Sequence, residues 1–220
     1  VHISDVFAFV VEKGSESLDD DDKKMKGRAC YNGKTTKDEA GEWAFFAEAS
    51  SDPISLEGSK HVDAHGCIKG NGTDVSDARK AYTQTKIKSQ CPSDDDPEVM
   101  VQCEEWVAIP KEYWPKHWHR INNPVVPLVY ALYGHPDAGG MWEDHCTEQV
   151  LKAGFEPVPN WGSLFWHPKE KCSLMVYVDD FKMSGPEAAR KRLFTALRKR
   201  IDMDEPQRMT RCLGLSLIHI

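Results

Sequence analysis

Leu174-Met175-Val176-Tyr177-Val178-Asp179-Asp180-Phe181-Lys182-Met183-Ser184-Gly185 reads as a strand, an acidic turn and a second strand. A hairpin of this kind pushes the carboxylates of Asp179 and Asp180 out at its tip. Two neighbouring Asp residues are common in solvated turns, so their company elsewhere in the chain decides their meaning. Paired carboxylates on rigid strands suit Mg²⁺, a hard cation that takes oxygen ligands. Two such ions about 4 Å apart can clamp the attacking and leaving oxygens of a phosphoryl transfer.

A third carboxylate is expected upstream, on a neighbouring strand. The segment Gly72-Thr73-Asp74-Val75-Ser76-Asp77-Ala78-Arg79-Lys80-Ala81-Tyr82-Thr83-Gln84 offers Asp77, with Tyr82 five residues later. Asp74 falls out of register and is expected to face solvent. Between this segment and the hairpin lies Ala131-Leu132-Tyr133-Gly134-His135-Pro136-Asp137-Ala138-Gly139-Gly140-Met141-Trp142, and near the end stands Cys212-Leu213-Gly214-Leu215.

Together these segments resemble a known family. Tyr177-Val178-Asp179-Asp180 is similar to the tetrapeptide of reverse transcriptases, and the Asp77–Tyr82 spacing resembles polymerase motif A. The Leu132-Tyr133-Gly134 turn and Cys212-Leu213-Gly214 resemble two further motifs of copia-type LTR-retrotransposon reverse transcriptases. From about Lys24 to Leu215 the chain therefore resembles the fingers-palm region of such a Pol polyprotein. One run departs from the pattern. Where the family carries Lys-Gln-Ala-Pro-Arg, this chain has His135-Pro136-Asp137-Ala138-Gly139-Gly140, which points to a divergent subgroup with a reshaped template contact.

The resemblance implies an α+β fold, a right-hand polymerase palm and fingers with an antiparallel sheet covered by helices on one face. It implies RNA-directed DNA polymerisation: two Mg²⁺ ions, or Mn²⁺, assist attack of a primer 3′-hydroxyl on a dNTP. Asp77 and Asp179 would bind both ions, and Asp180 would stand slightly off them. Tyr82 would exclude a 2′-hydroxyl, and Tyr133 and Gly134 would lie near the nascent base pair. Lys26 and Arg28 would grip the triphosphate. Arg190, Arg198 and Lys199, on a basic helix, would follow nucleic-acid phosphates. The implied partners are an RNA template, a DNA primer, and the thumb, ribonuclease H and integrase regions of the polyprotein. The implied location is intracellular, in a cytoplasmic particle or the nucleus.

Each assignment has a plainer alternative. Asp77 also suits a strand-end cap, Tyr82 a core aromatic, Tyr133-Gly134 a helix-entry turn. Lys26 and Arg28 also suit a solvated hairpin, and the basic helix an exposed amphipathic one. The whole chain also fits a catalytically inactive transposon remnant acting at most as a nucleic-acid-binding fold.

At 220 residues the chain can bury one substantial core or two small ones. Its net charge of −7 is unusual for a nucleic-acid enzyme, whose footprint is ordinarily basic. The charge is uneven. Acidic runs at Asp19–Asp22 and Asp94–Asp96 read as solvated loops, whereas Lys23–Arg28 and Arg190–Arg200 are basic. Seven Cys without a Cys-x-x-Cys pair suit a reducing compartment better than a disulfide framework. The nine His form no paired two-ligand cluster with Cys along the sequence, so no zinc site is expected. No run approaches the ~20 apolar residues of a membrane span, and the first residues carry no signal-peptide pattern.

The organisation expected is an N-terminal fingers strand and acidic loop over 1–23, the fingers-palm region over 24–215, and a truncated or non-native tail over 216–220. Val6–Val11 and Lys24–Tyr31 read as a hairpin, and Trp43–Ala47 as a buried helical piece followed by polar loop to Gly70. Asp74–Asp77 closes a palm strand, and Glu104–Pro110 alternates like a strand. A helix begins after Asp137 as N-cap, with Trp142, Cys146 and Val150 in a stripe, and ends at Gly154. A last helix spans about Pro186–Ile201, with Ala189, Leu193, Ala196, Leu197 and Ile201 on its apolar face.

Overall fold

The computed structural model describes residues 1–13, 23–44, 46, 55–93, 99–209, 211–212 and 215–216. Its elements run in chain order as β1 (His2–Lys13), β2 (Lys24–Tyr31), α1 (Leu56–Gly66), β3 (Asn71–Asp77), β4 (Gln90–Pro92), β5 (Met100–Gln102), β6 (Glu105–Ala108) and β7 (Val125–Pro127). Then follow α2 (Ala138–Lys152), β8 (Glu156–Pro157), β9 (Leu164–His167), β10 (Cys172–Tyr177), β11 (Asp180–Pro186), α3 (Glu187–Arg198), β12 (Gln207–Arg208), β13 (Arg211–Cys212) and β14 (Leu215–Ser216). The fold is mixed α+β. It divides into two units, residues 1–49 with 85–141, and residues 50–84 with 142–220.

The first unit holds a four-stranded sheet in the order β2-β1-β6-β7. β1 and β2 form the expected antiparallel hairpin, from Val6 opposite Tyr31 to Lys13 opposite Lys24. Asp19–Asp22, expected at its tip, lie outside the described residues. β1 also pairs with β6 in parallel, His2 opposite Glu105, so this sheet is mixed. A separate hairpin joins β4 to β5. The buried helical piece expected at Trp43–Ala47 is not found where it can be judged. Trp43 is 68% exposed and bridges to Lys37. The Lys37 ammonium lies 5.5 Å from the indole centroid, a surface cation–π pair that needs no burial.

The second unit is built on an antiparallel sheet in the order β12-β3-β11-β10-β9-β8. Side chains alternate across a strand with period two, and here both faces are used. Cys172, Leu174 and Val176 of β10 and Phe181 and Met183 of β11 point to one face. They join Trp142, Cys146 and Val150 of α2 and Ala189, Leu193, Phe194 and Leu197 of α3 in one core. Met175 points to the other face, where it meets Leu164 and Val62 of α1. Helices therefore cover both faces, not the single face expected. The stretch read as polar loop supplies the second cover: α1 is N-capped by Ser55, whose hydroxyl accepts the Gly58 amide at 3.1 Å.

The stop of α2 is as expected. Gly154 adopts φ +95°, its amide donates to the Leu151 carbonyl at 2.9 Å, and Phe155 N–H reaches Val150 O at 3.4 Å. That is the Schellman pattern, completed by the apolar pair Phe155 and Val150 in the core. Its start differs from expectation in one respect: Asp137 precedes the helix, but its Oδ1 is buried without a hydrogen-bond partner.

Candidate metal and nucleotide site

The last pair of the β10–β11 ladder is Tyr177 with Asp180. Val178 and Asp179 thus make a two-residue hairpin turn. Val178 takes φ +53°, a left-handed conformation that a β-branched residue adopts only under strain. The surrounding fold holds it there, since the Trp142 indole N–H donates to the Val178 carbonyl at 2.6 Å. Strain of this kind gathers at functional sites.

Asp77 closes β3 and Asp180 opens β11, and the two residues stand directly opposite in register. The Ala78 amide donates to the Asp179 carbonyl at 2.7 Å, tying the turn to the strand carrying Asp77. Three carboxylates are thus gathered by backbone geometry alone. Asp77 and Asp179 are exposed and Asp180 is half-buried. Burial, then the charges of Asp179 and Asp77 and a hydrogen bond with Asp77, push the Asp180 carboxyl up to about 6. The site is short of positive charge, and a cation would relieve it.

The chain after α3 braces this corner. The Asp204 amide donates to Asp77 O at 2.9 Å, Ser76 Oγ donates to Asp204 O at 2.7 Å, and Arg79 Nε donates to Asp204 Oδ1 at 2.6 Å. Tyr82 sits in a short helical turn, Ala81–Gln84. It packs against the core, and its hydroxyl is raised by burial and then by the charge of Asp179. Its packing fits the core-aromatic reading, and it also lies near Asp179.

Two charged residues behave differently from expectation. Arg190, placed among the phosphate contacts, is 6% exposed. Its Nε and Nη2 donate to the two carboxylate oxygens of Asp74 at 2.8 and 3.2 Å, and its Nη1 donates to the Gly185 carbonyl. A bidentate pair of this type fixes geometry strongly. Arg190 is a strut between α3 and β3, and Asp74 is its partner, not a solvent-facing residue. Arg198 Nη1 pairs with Glu205 at 2.5 Å, and Lys199 is exposed at the end of α3. Sequence reading also missed Lys182, which is 1% exposed. Its ammonium donates to Ser59 O (3.2 Å), Ser59 Oγ (2.8 Å) and Asp63 Oδ1 (2.9 Å), so all three protons are used.

Lys26, Arg28, Tyr133 and Gly134 belong to the first unit. Lys26 and Arg28 are exposed on β2, and the Arg28 guanidinium lies 5.6 Å from the Tyr133 ring centroid. Gly134 has φ +88°, and a Cβ there would come within 2.3 Å of the Tyr31 carbonyl oxygen. The close approach it permits is therefore to the chain's own β2.

The run that departs from the family pattern turns inward. His135 is 4% exposed and lies 3.6 Å from Glu105 Oε1. The same carboxylate takes His2 Nδ1 at 2.8 Å and the Tyr31 hydroxyl at 2.9 Å. Burial raises Glu105, but bonds from His135, His2 and Ser89 outweigh it and hold the carboxyl at about 2. A template contact through His135 finds no support in that burial. Beside this network the side-chain ligand atoms of His2, Cys91 and Cys103 lie within 4.8 Å of one another. Distant in sequence, they gave no spacing signal. Of the last motif, Cys212 and Leu215 pair across β13 and β14, and Leu213 and Gly214 lie outside the described residues. Among the described residues no helix is long and apolar enough to cross a membrane. No protein-family model matches the chain, and no curated protein matches it.

Proposed function

We propose that the chain is the fingers-palm region of a copia-type reverse transcriptase, an RNA-directed DNA polymerase that extends a primer on an RNA template. The observation that carries this reading is the register pairing of Asp77 with Asp180, with Asp179 on the strained turn beside them. In it the second unit is the palm and the first the fingers.

The donor set fits Mg²⁺, and Mn²⁺ as a substitute, because it is all carboxylate oxygen and holds Asp180 under unrelieved negative charge. When bound, two such ions stabilise the charge on the attacking and leaving oxygens. The protein's own part is positioning. Asp77 and Asp179 would hold the ions, with Asp180 as the third acid. The Tyr82 ring closes the sugar pocket against a 2′-hydroxyl. Lys26 and Arg28 receive the triphosphate of the dNTP, with Tyr133 and Gly134 next to the new base pair. Arg198 and Lys199 meet template–primer phosphates. The remaining partners are the other Pol regions, thumb, ribonuclease H and integrase, in a cytoplasmic particle or the nucleus.

The test is primer extension on an RNA template by the parent and by Asp179→Asn, with melting curves for both. The substitution is nearly isosteric and removes one charge and one ligand. We expect extension by the parent and its loss, by several orders of magnitude, in a variant that melts normally. Full activity in the folded variant removes Asp179 from the site. A folded parent that binds template–primer without extending it leaves the inactive-remnant reading.

A further inference from the structure

We propose that His2, Cys91 and Cys103 form a zinc site in the first unit, independent of the carboxylate site and of the function assigned to it. Three separate pieces of chain meet here: the start of β1, the β4 strand and the residue preceding Glu104 and β6. Backbone bonds hold two of them in place. The His2 amide donates to Glu104 O at 2.8 Å and the Cys103 amide to Ser89 O at 3.0 Å.

The distances suit one small ion. Tetrahedral zinc, with Zn–S near 2.3 Å and Zn–N near 2.0–2.1 Å, sets its ligand atoms about 3.5–3.8 Å apart. Cys103 Sγ is 3.6 Å from His2 Nδ1 and 3.9 Å from Nε2, and all three ligand atoms fall within 4.8 Å of one another. The Cys103–His2 edge is already at zinc spacing, and Cys91 Sγ lies within about 1 Å of that spacing.

The second observation concerns the imidazole. His2 Nδ1 faces Glu105 Oε1 at 2.8 Å, so a proton on Nδ1 is held by the carboxylate and Nε2 is left as the lone-pair nitrogen. Metal-bound His residues almost always donate the other ring N–H to a carboxylate, a backbone carbonyl or water, which fixes both tautomer and ring orientation. Glu105 is itself fixed by the Tyr31 hydroxyl.

Ligand softness selects the ion. Two thiolates and an imidazole favour Zn²⁺ over Mg²⁺, which prefers oxygen. His2 and Cys103 are 2% and 8% exposed and Cys91 is half-buried. Three protein ligands leave a fourth position for water or a further donor. The role is structural, a clip joining β1 to the β4–β5 hairpin.

The test uses the full chain kept reduced. After equilibration with Zn²⁺ and removal of free metal, elemental analysis should find one zinc per chain. Cys103→Ser and Cys91→Ser should each lose it, while Cys67→Ser, at an exposed cysteine outside the cluster, should keep it. Cys91 is the least buried ligand, so Cys91→Ser is the variant that best keeps its fold, checked by circular dichroism. Co²⁺ in place of zinc should give thiolate charge-transfer and tetrahedral ligand-field bands in the parent and not in Cys91→Ser. Melting temperature should rise with Zn²⁺, and excess Mg²⁺ should not displace the ion. Zinc absent from the reduced parent, zinc retained by a folded Cys91→Ser, or a Cys91–Cys103 disulfide in the protein isolated under reducing conditions would each overturn the proposal.

Discussion

At Asp180 the carboxyl sits near 6, against an ordinary aspartate value of 3.8. Between those values the folded chain binds the proton more tightly than the unfolded one, so this group makes the metal-free protein more stable as pH falls from about 6 to about 4. Asp180→Asn removes the repulsion without changing shape. The variant should melt a few degrees higher than the parent at pH 7 without metal, at roughly 2–4 °C per kcal/mol for a chain of this size. The gap should narrow below pH 6 and close near pH 4. A variant that melts below the parent at pH 7 would show that Asp180 is not under charge strain. Tyr82 can be tested at the same scale. If its ring closes the sugar pocket, Tyr82→Val raises ribonucleotide over deoxynucleotide incorporation, while Tyr82→Phe keeps the parent's ratio. Because Tyr82 also packs on the core, Tyr82→Val should in addition cost about 3 kcal/mol of stability. A constant ratio alongside that loss would make the residue purely structural.

Among the elements, α1 depends on a buried ion pair. Lys182 lies 2.9 Å from Asp63, with side chains 1% and 16% exposed. Removing one partner strands the other, so Lys182→Ala should lower the unfolding free energy by roughly 3–5 kcal/mol in urea titration. Lys182→Met with Asp63→Leu should recover most of the loss, since a well-packed apolar pair often replaces a buried ion pair at little cost. A double variant no better than the single one would point to the hydrogen bonds to Ser59 as the main tie. This element also shows where sequence reading fails. The α2 and α3 stripes were legible because apolar residues recur with the helical period, and the β10–β11 hairpin because an unbroken apolar run ends in an acidic turn. In α1 only Val62 joins the apolar core. Its other contacts are mainly polar, Ser59 and Asp63 to Lys182 and His65 to Ser184, so no periodicity announced it. Arg190 was misread for a related reason: a helical pattern gives the face a residue takes but not that Asp74 waits across it. The three acids were legible from motif spacing, whereas the Glu105 network joins residues 103 apart in sequence and leaves no local trace.

For the whole molecule, the proposed metal site has a consequence for stability. If Mg²⁺ binds the carboxylate cluster of the folded chain and not the unfolded chain, a hundredfold excess over its Kd should add about 2.7 kcal/mol. A rise in melting temperature with Mg²⁺ should be largely lost in Asp77→Asn. No shift at several mM (with or without template–primer) argues against a metal site at this corner. The net charge of −7 adds a requirement: an acidic chain meets a polyanion only where its basic residues are local, so template binding should fall steeply with added salt.

The parallel pairing of β1 with β6 also bears on synthesis. β1 and β2 can zip together early, since their pairing is local. The ladder from His2–Glu105 to Asp5–Ala108 has no partner until the chain beyond Ala108 leaves the ribosome. During that interval the free edge of β1 is an open template for a neighbouring nascent chain, and contacts so distant in sequence close slowly. Slower synthesis of the segment between β1 and β6, or fewer chaperones on it, should therefore lower the yield of native protein.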